Sequence, residues 1–248
     1  MTLNTFFEQN PKVAIAFSGG VDSAYLLYAA KQFGADVRAY YVKTPFQPQF
    51  EYEDAVKLAE QLQVPMATLS LDVLDDSQIA ANPANRCYFC KKKLFIAICR
   101  QALLDGYPLI LDGTNASDQA DDRPGMQALT ELRVLSPLRL CGLTKKEIRR
   151  LSKEANLFTH DKPAYACLAT RIPAGMPITA ALLEKTERSE GFLKSLGFSD
   201  FRIRITPEGA KLQIKKEQFP LLGKHRQEIF EKLNQEYGFV LPDPEVRQ

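Results

Sequence analysis

The stretch that decides the fold is residues 12–23, which read KVAIAFSGGVDS. Residues 13–17 form an unbroken apolar run, as in a parallel strand that is covered on both faces. The run stops before Gly19 and Gly20, and a helix-compatible segment follows over residues 24–33. Glycines let a backbone approach a ligand closely, and the N–H groups of a helix's first turn point at negative charge. The stretch therefore predicts an anion site.

The residues around the two glycines indicate which anion is bound. Asp22 would repel a bare phosphate, so we expect Mg²⁺ between the Asp22 carboxylate and the phosphates. No Gly-Lys-Ser/Thr follows, which excludes the Walker loop. SGGVDS instead resembles the pyrophosphatase loop (PP-loop) of enzymes that split ATP into AMP and pyrophosphate while they adenylate a substrate. We expect the pyrophosphate to be held by Ser18, Gly19, Gly20 and Ser23.

Length and composition are those of a soluble globular protein. A chain of 248 residues can hold one large domain, or one domain and a smaller one. With 32 basic and 30 acidic residues the net charge is +2, which gives no global electrostatic case for nucleic acid binding. Residues 1–10 lack the features of a signal peptide, and no apolar run approaches the length of a membrane span. We expect a cytoplasmic protein that does not bind membranes.

Short apolar strands alternate with helical patterns through the first two thirds of the chain. This alternation predicts an α/β fold with a doubly wound parallel sheet. Ligands bind such sheets at the carboxyl ends of the strands, so Val42 and Gly113 are expected to line the nucleotide site. The expected strands are residues 13–17, 37–42, 66–71 and 109–111, and the expected helices include 24–33, 51–62 and 145–155.

The pattern changes in the last third of the chain. We place a domain boundary near residues 171–178, which gives an ATP-binding domain over 1–172 and a smaller α+β domain over 173–248. The second domain is too small to continue the first sheet. Its expected elements are a helix over 179–196, a hairpin of strands over 201–205 and 210–214, and a helix over 218–237.

Three of the five cysteines stand apart from the others. Cys99 and Cys141 lie in apolar segments typical of buried thiols. Cys87, Cys90 and Cys167 lie beside polar, charged or aromatic residues near the ends of segments. In a cytosolic chain, metal binding or redox chemistry is a better explanation for them than a disulfide framework.

The spacing of these three cysteines is compatible with several kinds of site. Cys87 and Cys90 form a Cys-x-x-Cys pair, in a segment that we interpret as a loop, and can bind one metal centre from a single turn. A structural zinc site needs a fourth ligand, for which His160 is a candidate without a recognisable spacing. Three cysteines without a fourth suit a [4Fe–4S] cluster with one open iron. A redox dithiol and an incidental pair are the remaining alternatives.

Four motifs together resemble one family. SGGVDS, RCYFCKK, LDGTN followed by DDRPG, and CLATRIPAG, in this order, resemble the LarE family over nearly the whole chain. These PP-loop sulfur transferases, with an adenine nucleotide alpha hydrolase-like fold, make the nickel-pincer nucleotide cofactor of lactate racemase. The resemblance implies that ATP adenylates a carboxylate of pyridinium-3,5-biscarboxylic acid mononucleotide. AMP then leaves, and the carbon ends as a thiocarboxylate.

The resemblance also implies a source for the sulfur. One type of family member has a single functional cysteine, which gives up its own sulfur and becomes dehydroalanine. The other type has three cysteines that hold a [4Fe–4S] cluster, which passes on an added sulfide. Cys87, Cys90 and Cys167 match the second type, so a cluster, catalytic roles for these cysteines, and sulfide or another sulfur donor are implied. The family is also known as a homo-oligomer.

The implied substrate carries two carboxylates and a phosphate, so arginines are expected around it. Arg123 lies in the motif DDRPG, within a predicted surface loop, and Arg171 lies in CLATRIPAG. Arg202 and Arg204 alternate along the predicted strand FRIRI. We expect these four arginines to bind the nucleotide substrate.

Three other functions fit parts of the pattern. A PP-loop tRNA thiolation enzyme can use the same cluster, but such enzymes usually carry further zinc-binding cysteines or a basic appendage, and neither is visible. A PP-loop synthetase that uses ammonia needs no cysteine triad. A nucleotide-binding regulator with structural zinc would not turn ATP over.

Overall fold

A computed structural model describes residues 1–118 and 124–243. The chain forms two compact units: unit 1 is Met1–Val73 with Asn85–Lys162, and unit 2 is Leu74–Ala84 with Pro163–Gln248. The boundary predicted near 172 differs from this division. The chain belongs to unit 2 from Pro163 onward, where Arg202 and Arg171 bind the carbonyls of Ala164 and Ala166. Residues 74–84 also belong to unit 2.

The described part of unit 1 is built on four parallel strands. These are β1 (Lys12–Ala16), β2 (Asp36–Lys43), β3 (Met66–Ser70) and β4 (Ile110–Leu111), in the order β3-β2-β1-β4. The predicted parallel sheet is confirmed. The order of strands reverses between β1 and β4, and ligands of open α/β sheets bind at such a reversal, beyond the carboxyl ends of the strands.

Helices cover both faces of this sheet. Side chains alternate between the faces along β1. Val13 and Ile15 pack into one core with α1, α2 and α8, whereas Ala14 packs into the other core with α5 and α6. The helices up to residue 154 are α1 (Leu3–Gln9), α2 (Val21–Gln32), α3 (Gln49–Gln61), α4 (Ser77–Ala80, in unit 2), α5 (Arg86–Leu104), α6 (Pro124–Glu131), α7 (Pro137–Leu140) and α8 (Lys145–Glu154).

Unit 2 contains the predicted hairpin and one strand more. β5 pairs antiparallel with β6, and β6 pairs parallel with β7, among the described residues. The helix predicted over 218–237 is divided in two, because His225 ends one helix and begins the next. The elements are α9 (Ala180–Ser195), β5 (Arg202–Thr206), β6 (Gly209–Gln213), α10 (Phe219–Lys224), α11 (Arg226–Tyr237) and β7 (Val240–Pro242).

Among residues 1–118 and 124–243, no helix is both long enough and apolar enough to cross a membrane.

Within unit 2, Asn82 binds the loop that follows Cys167. Its side chain is 2% exposed, and its amide donates hydrogen bonds to the carbonyls of Pro173 and Met176 at 2.8 and 3.1 Å. The amide of Gly175 donates to the Asn82 carbonyl at 2.8 Å. Asn82 has φ 55°, in the left-handed region that asparagine tolerates better than most residues. The segment before α5 therefore fixes the loop after Cys167.

We expect Asn82→Ala to lower the free energy of unfolding by about 2–4 kcal/mol, because it leaves buried carbonyls unpaired and because alanine tolerates the left-handed region at φ 55° less well than asparagine. Urea unfolding followed by circular dichroism measures this change. Asn82→Gly is the matched control: it loses the same hydrogen bonds without the backbone strain and should lose about 1 kcal/mol less. Equal stability of Asn82→Ala and the wild type would contradict this account.

Candidate active site

The loop between β1 and α2 is closed by hydrogen bonds among its own serines and glycines. Ser23 Oγ donates to the Gly20 carbonyl at 3.2 Å, and the Ser18 amide donates to Ser23 Oγ at 3.3 Å. Gly19 has φ +72°, and a Cβ there would lie 3.1 Å from the Cβ of Ala55. Gly20 is the N-cap of α2 and has no side chain with which to cap it. An anion can therefore take the position of a cap.

The end of β4 lies against this loop. A Cβ on Gly113 would be 2.8 Å from the backbone nitrogen of Ser23, so glycine is required here by close packing on the first turn of α2. The sequence pattern predicts for Gly113 only a contact with the nucleotide, and that contact stays a prediction. Val42 is buried near the carboxyl end of β2, where it pairs with Leu69 of β3. Its contact with the nucleotide likewise stays a prediction.

Asp22 is the acidic group of this site. Its Oδ2 accepts a hydrogen bond from Lys145 Nζ at 2.5 Å, and its Oδ1 is buried without a hydrogen-bond partner among the described residues. Burial raises the pKa of the Asp22 carboxyl, and Lys145 partly opposes the rise. A buried carboxylate oxygen without a partner is a suitable ligand for a divalent cation, so Asp22 fits the expected Mg²⁺. Lys145 lies 123 positions away from Asp22, and no sequence pattern indicates that the two side chains meet.

Asp112, which the sequence analysis also missed, connects the end of β4 to α5. It is 5% exposed and accepts hydrogen bonds from Thr114 Oγ1 and Ser136 Oγ, both at 2.5 Å. Lys91 Nζ lies 3.8 Å from its carboxylate. Cys87 precedes Lys91 by one helical turn. The start of α5 is therefore held at the same sheet end as the PP-loop.

The Cys-x-x-Cys pair lies in the first turns of α5. The prediction of a loop here was wrong: α5 begins at Arg86, and Cys87 and Cys90 are three residues apart, so they lie on neighbouring positions of one helix face. Cys87 is exposed and Cys90 is half-buried. The buried Arg86 points a guanidinium N–H at Cys87 Sγ, 3.7 Å away, and lies over the ring of Phe46.

These two thiols fit two positions of a metal centre. Within residues 1–118 and 124–243, no group of three or more His, Cys, Asp or Glu side chains is arranged to hold a metal ion. Metal binding by Cys87, Cys90 and Cys167 therefore stays a prediction. His160, the candidate zinc ligand, has its ring Nδ1 3.0 Å from the carbonyl of Leu157.

In unit 2, a buried arginine fixes the turn that carries Cys167. Cys167 precedes a 3₁₀ turn, Leu168–Arg171. Arg171 is 1% exposed, and its Nε and Nη2 donate to the Glu190 carboxylate at 2.7 and 3.0 Å. Its Nη1 donates to the Ala166 carbonyl at 2.9 Å. Tyr165 also donates to Glu190, at 2.6 Å, and burial together with the Glu190 charge raises the pKa of the Tyr165 hydroxyl far above its usual range.

The two arginines of β5 contact the same segment. Arg202 donates to the Ala164 carbonyl at 2.6 Å and lies over the ring of Tyr165. Arg204 donates to the Thr170 carbonyl, also at 2.6 Å. Three of the four predicted substrate arginines thus converge on residues 164–171, although no sequence pattern indicates that they bind backbone there. Their binding of substrate stays a prediction. Arg123 lies outside the described residues.

The chain is similar to one protein family and to several individual proteins. Residues 12–86 match the family described as queuosine biosynthesis protein QueC. An uncharacterised protein of Synechocystis sp. is 35% identical over 217 residues, which are 87% of this chain and 81% of that protein. The pyridinium-3,5-bisthiocarboxylic acid mononucleotide synthase of Lactiplantibacillus plantarum is 30% identical over 215 residues, or 86% and 78%. The tRNA-specific 2-thiouridylase MnmA of Clostridium perfringens is 28% identical over 190 residues, or 61% and 53%.

We expect the pair Arg171–Glu190 to act as one unit in stability. Arg171→Leu or Glu190→Leu alone leaves a buried charge without its partner and should cost about 3–5 kcal/mol of unfolding free energy. The double variant should cost much less than the sum, which urea unfolding will show. As a control, Arg188→Ala removes the exposed partner of Glu236 and should cost less than about 1 kcal/mol. Additive losses at Arg171 and Glu190 would refute the coupling.

Proposed function

Because the chain belongs to the LarE family of PP-loop sulfur transferases, we propose that it is an ATP-dependent sulfurtransferase that converts a carboxylate of pyridinium-3,5-biscarboxylic acid mononucleotide into a thiocarboxylate for a nickel-pincer cofactor. The observation that carries the proposal is the similarity to the bisthiocarboxylic acid mononucleotide synthase, which covers 86% of this chain and 78% of that protein. The glycine turn at the strand reversal of unit 1 gives further support.

A carboxylate is a poor electrophile, which explains the need for ATP. One carboxylate oxygen of the substrate attacks the α-phosphorus of ATP, and the bond to pyrophosphate breaks. The product is an acyl-adenylate. A sulfur nucleophile then attacks the acyl carbon, and AMP leaves with the electron pair of the broken carbon–oxygen bond. AMP, pyrophosphate and a thiocarboxylate are the expected products.

In this proposal the PP-loop holds the pyrophosphate. Ser18, Gly19, Gly20 and Ser23 supply hydroxyl and backbone N–H groups at the uncapped start of α2. Val42 and Gly113 line the site of the nucleoside at the ends of β2 and β4. Asp22 would hold Mg²⁺, which supplies neutralising charge to the leaving pyrophosphate.

The source of the sulfur is the finer part of the proposal. We propose that Cys87, Cys90 and Cys167 bind a [4Fe–4S] cluster, which would supply an open iron that accepts sulfide from a donor. The thiol pair on one turn of α5 and the rigidly held turn of Cys167 support this assignment. A mechanism that consumes one cysteine would need Cys167 alone.

The substrate arginines and the assembly complete the proposal. Arg123, Arg171, Arg202 and Arg204 would provide positive charge for the carboxylates and phosphate of the substrate. Arg171 and Arg202 already donate to the backbone of unit 2, so their contribution to the substrate would be mainly electrostatic. We further propose that the protein works as a homo-oligomer.

We expect the protein to form AMP and pyrophosphate from ATP and Mg²⁺ only when the biscarboxylic acid mononucleotide is added. Anaerobic incubation with sulfide, followed by chromatography and mass spectrometry, detects both products and the exchange of oxygen for sulfur. Asp22→Asn should slow AMP formation about a hundredfold or more, because a charge that faces the leaving group is lost. Asp36→Asn, at the opposite end of the sheet, should not. If AMP forms at the same rate with and without the mononucleotide, the mononucleotide is not the substrate.

We expect about four irons per chain, with matching acid-labile sulfide and an EPR signal after reduction, in anaerobically purified protein. Cys87→Ala, Cys90→Ala and Cys167→Ala should each lose this iron, whereas Cys141→Ala should keep it. Zinc or no metal in the fresh protein would reject the cluster. A dehydroalanine at Cys167 after turnover would favour the mechanism that consumes the cysteine.

A tRNA thiolation enzyme is the second candidate, favoured by the similarity to the tRNA-specific 2-thiouridylase. This chain spans about half of that relative, and its net charge of +2 gives little attraction to RNA. The same AMP assay with tRNA in place of the mononucleotide separates the two functions. AMP release with tRNA alone would favour the second.

A further inference from the structure

The two oxygens of the Asp22 carboxylate are in different situations. Oδ2 accepts the short hydrogen bond from Lys145, whereas Oδ1 is buried and has no partner among the described residues. An unpaired buried acceptor costs free energy, since it has lost its hydration. Lys145 presents a compact point charge, which satisfies only one side of the carboxylate. Lys145 is therefore an incomplete partner for Asp22, and a divalent cation that replaced the ammonium could bind both oxygens.

Lys145 stands at a helix end where its charge is unfavourable. It is the first residue of α8, and Lys146 follows it. Positive charge at a helix N-terminus opposes the helix dipole. Thr144 and Glu147 already form a complete capping box there. The stability of α8 therefore does not account for a lysine at this position, whereas the contact with Asp22 does.

The backbone of Lys145 is fixed, but its side chain can move. Its N–H donates to Ser117 Oγ at 3.0 Å, which ties the start of α8 to the loop after β4. Its side chain is 34% exposed and reaches Asp22 through a flexible four-carbon stem. The ammonium can leave Asp22 while α8 stays in place. Arg149, one turn further, already donates to two backbone carbonyls.

We propose that Lys145 occupies the cation position of Asp22 in the nucleotide-free protein and moves to phosphate oxygens when a magnesium nucleotide binds. The proposal deepens the proposed function and rests on it for the identity of the nucleotide. The divalent cation enters with the nucleotide, because the ammonium excludes it beforehand by charge repulsion. Once displaced, the same ammonium neutralises charge on the pyrophosphate that leaves.

The test is the binding of Mn²⁺, observed by EPR, to the full chain without nucleotide. Lys145→Met keeps the bulk of the side chain and removes its charge, so Mn²⁺ should bind about tenfold tighter than to the wild type, or more. Adding Asp22→Asn to Lys145→Met should abolish the gain. Lys146→Met is the matched control, since it removes a neighbouring exposed charge from the same helix end, and it should bind Mn²⁺ as the wild type does.

Thermal unfolding provides the second readout. Lys145→Met should unfold at a lower temperature than the wild type, and Mn²⁺ should raise its melting temperature more than that of the wild type. Unchanged Mn²⁺ affinity in folded Lys145→Met would overturn the inference, as would an equal gain in Lys146→Met. Neither result depends on the sulfur acceptor. Failure of the wild type to bind ATP would instead reject the proposed function, and Mn²⁺ binding would still decide whether Lys145 occupies the cation position.

Discussion

The first turn of α2 is packed so closely that two positions around it admit no side chain. Gly19 lies against Ala55 of α3, and Gly113 lies against the backbone of Ser23. These contacts fix the end of β4 and the middle of α3 relative to the turn. Asp22 projects from that same turn, so its direction is set by the packing. The anion site, the metal ligand and the contact with Lys145 all depend on this close approach of backbone segments.

In unit 2, side chains hold the irregular segment 164–171 in one conformation. The segment 164–171 contains only a short 3₁₀ turn, so few of its carbonyls are satisfied by regular structure. Arg171, Arg202 and Arg204 satisfy three of them, and Glu190 balances the charge of Arg171 in the interior. Buried charges are costly unless they are paired and hydrogen-bonded. Here the arginine side chains donate the hydrogen bonds that the backbone of a helix or strand would otherwise donate to these carbonyls.

Local features could be predicted from the sequence, and distant pairings could not. The parallel sheet and its glycine turn follow from an apolar run and two glycines within twelve residues. The start of α5 was missed although its N-cap, Asn85, is a residue type that favours helix starts. β7 has only three residues, too few for a strand pattern. The partners of Asp22 and Arg171 lie 123 and 19 positions away, and no local pattern indicates them. The roles of the predicted site residues stay predictions.

The insertion of residues 74–84 into unit 2 imposes an order on the synthesis of this protein. Asn82 leaves the ribosome with none of its carbonyl partners, because Ile172 is made 90 residues later. At the usual elongation rate this interval lasts about 5–20 s. The strands of unit 1 that precede the insertion can form in that time, while the inserted segment has no structure to join. The buried contacts of Asn82 can therefore form only after residues 172–176 have been made, late in the synthesis of the chain.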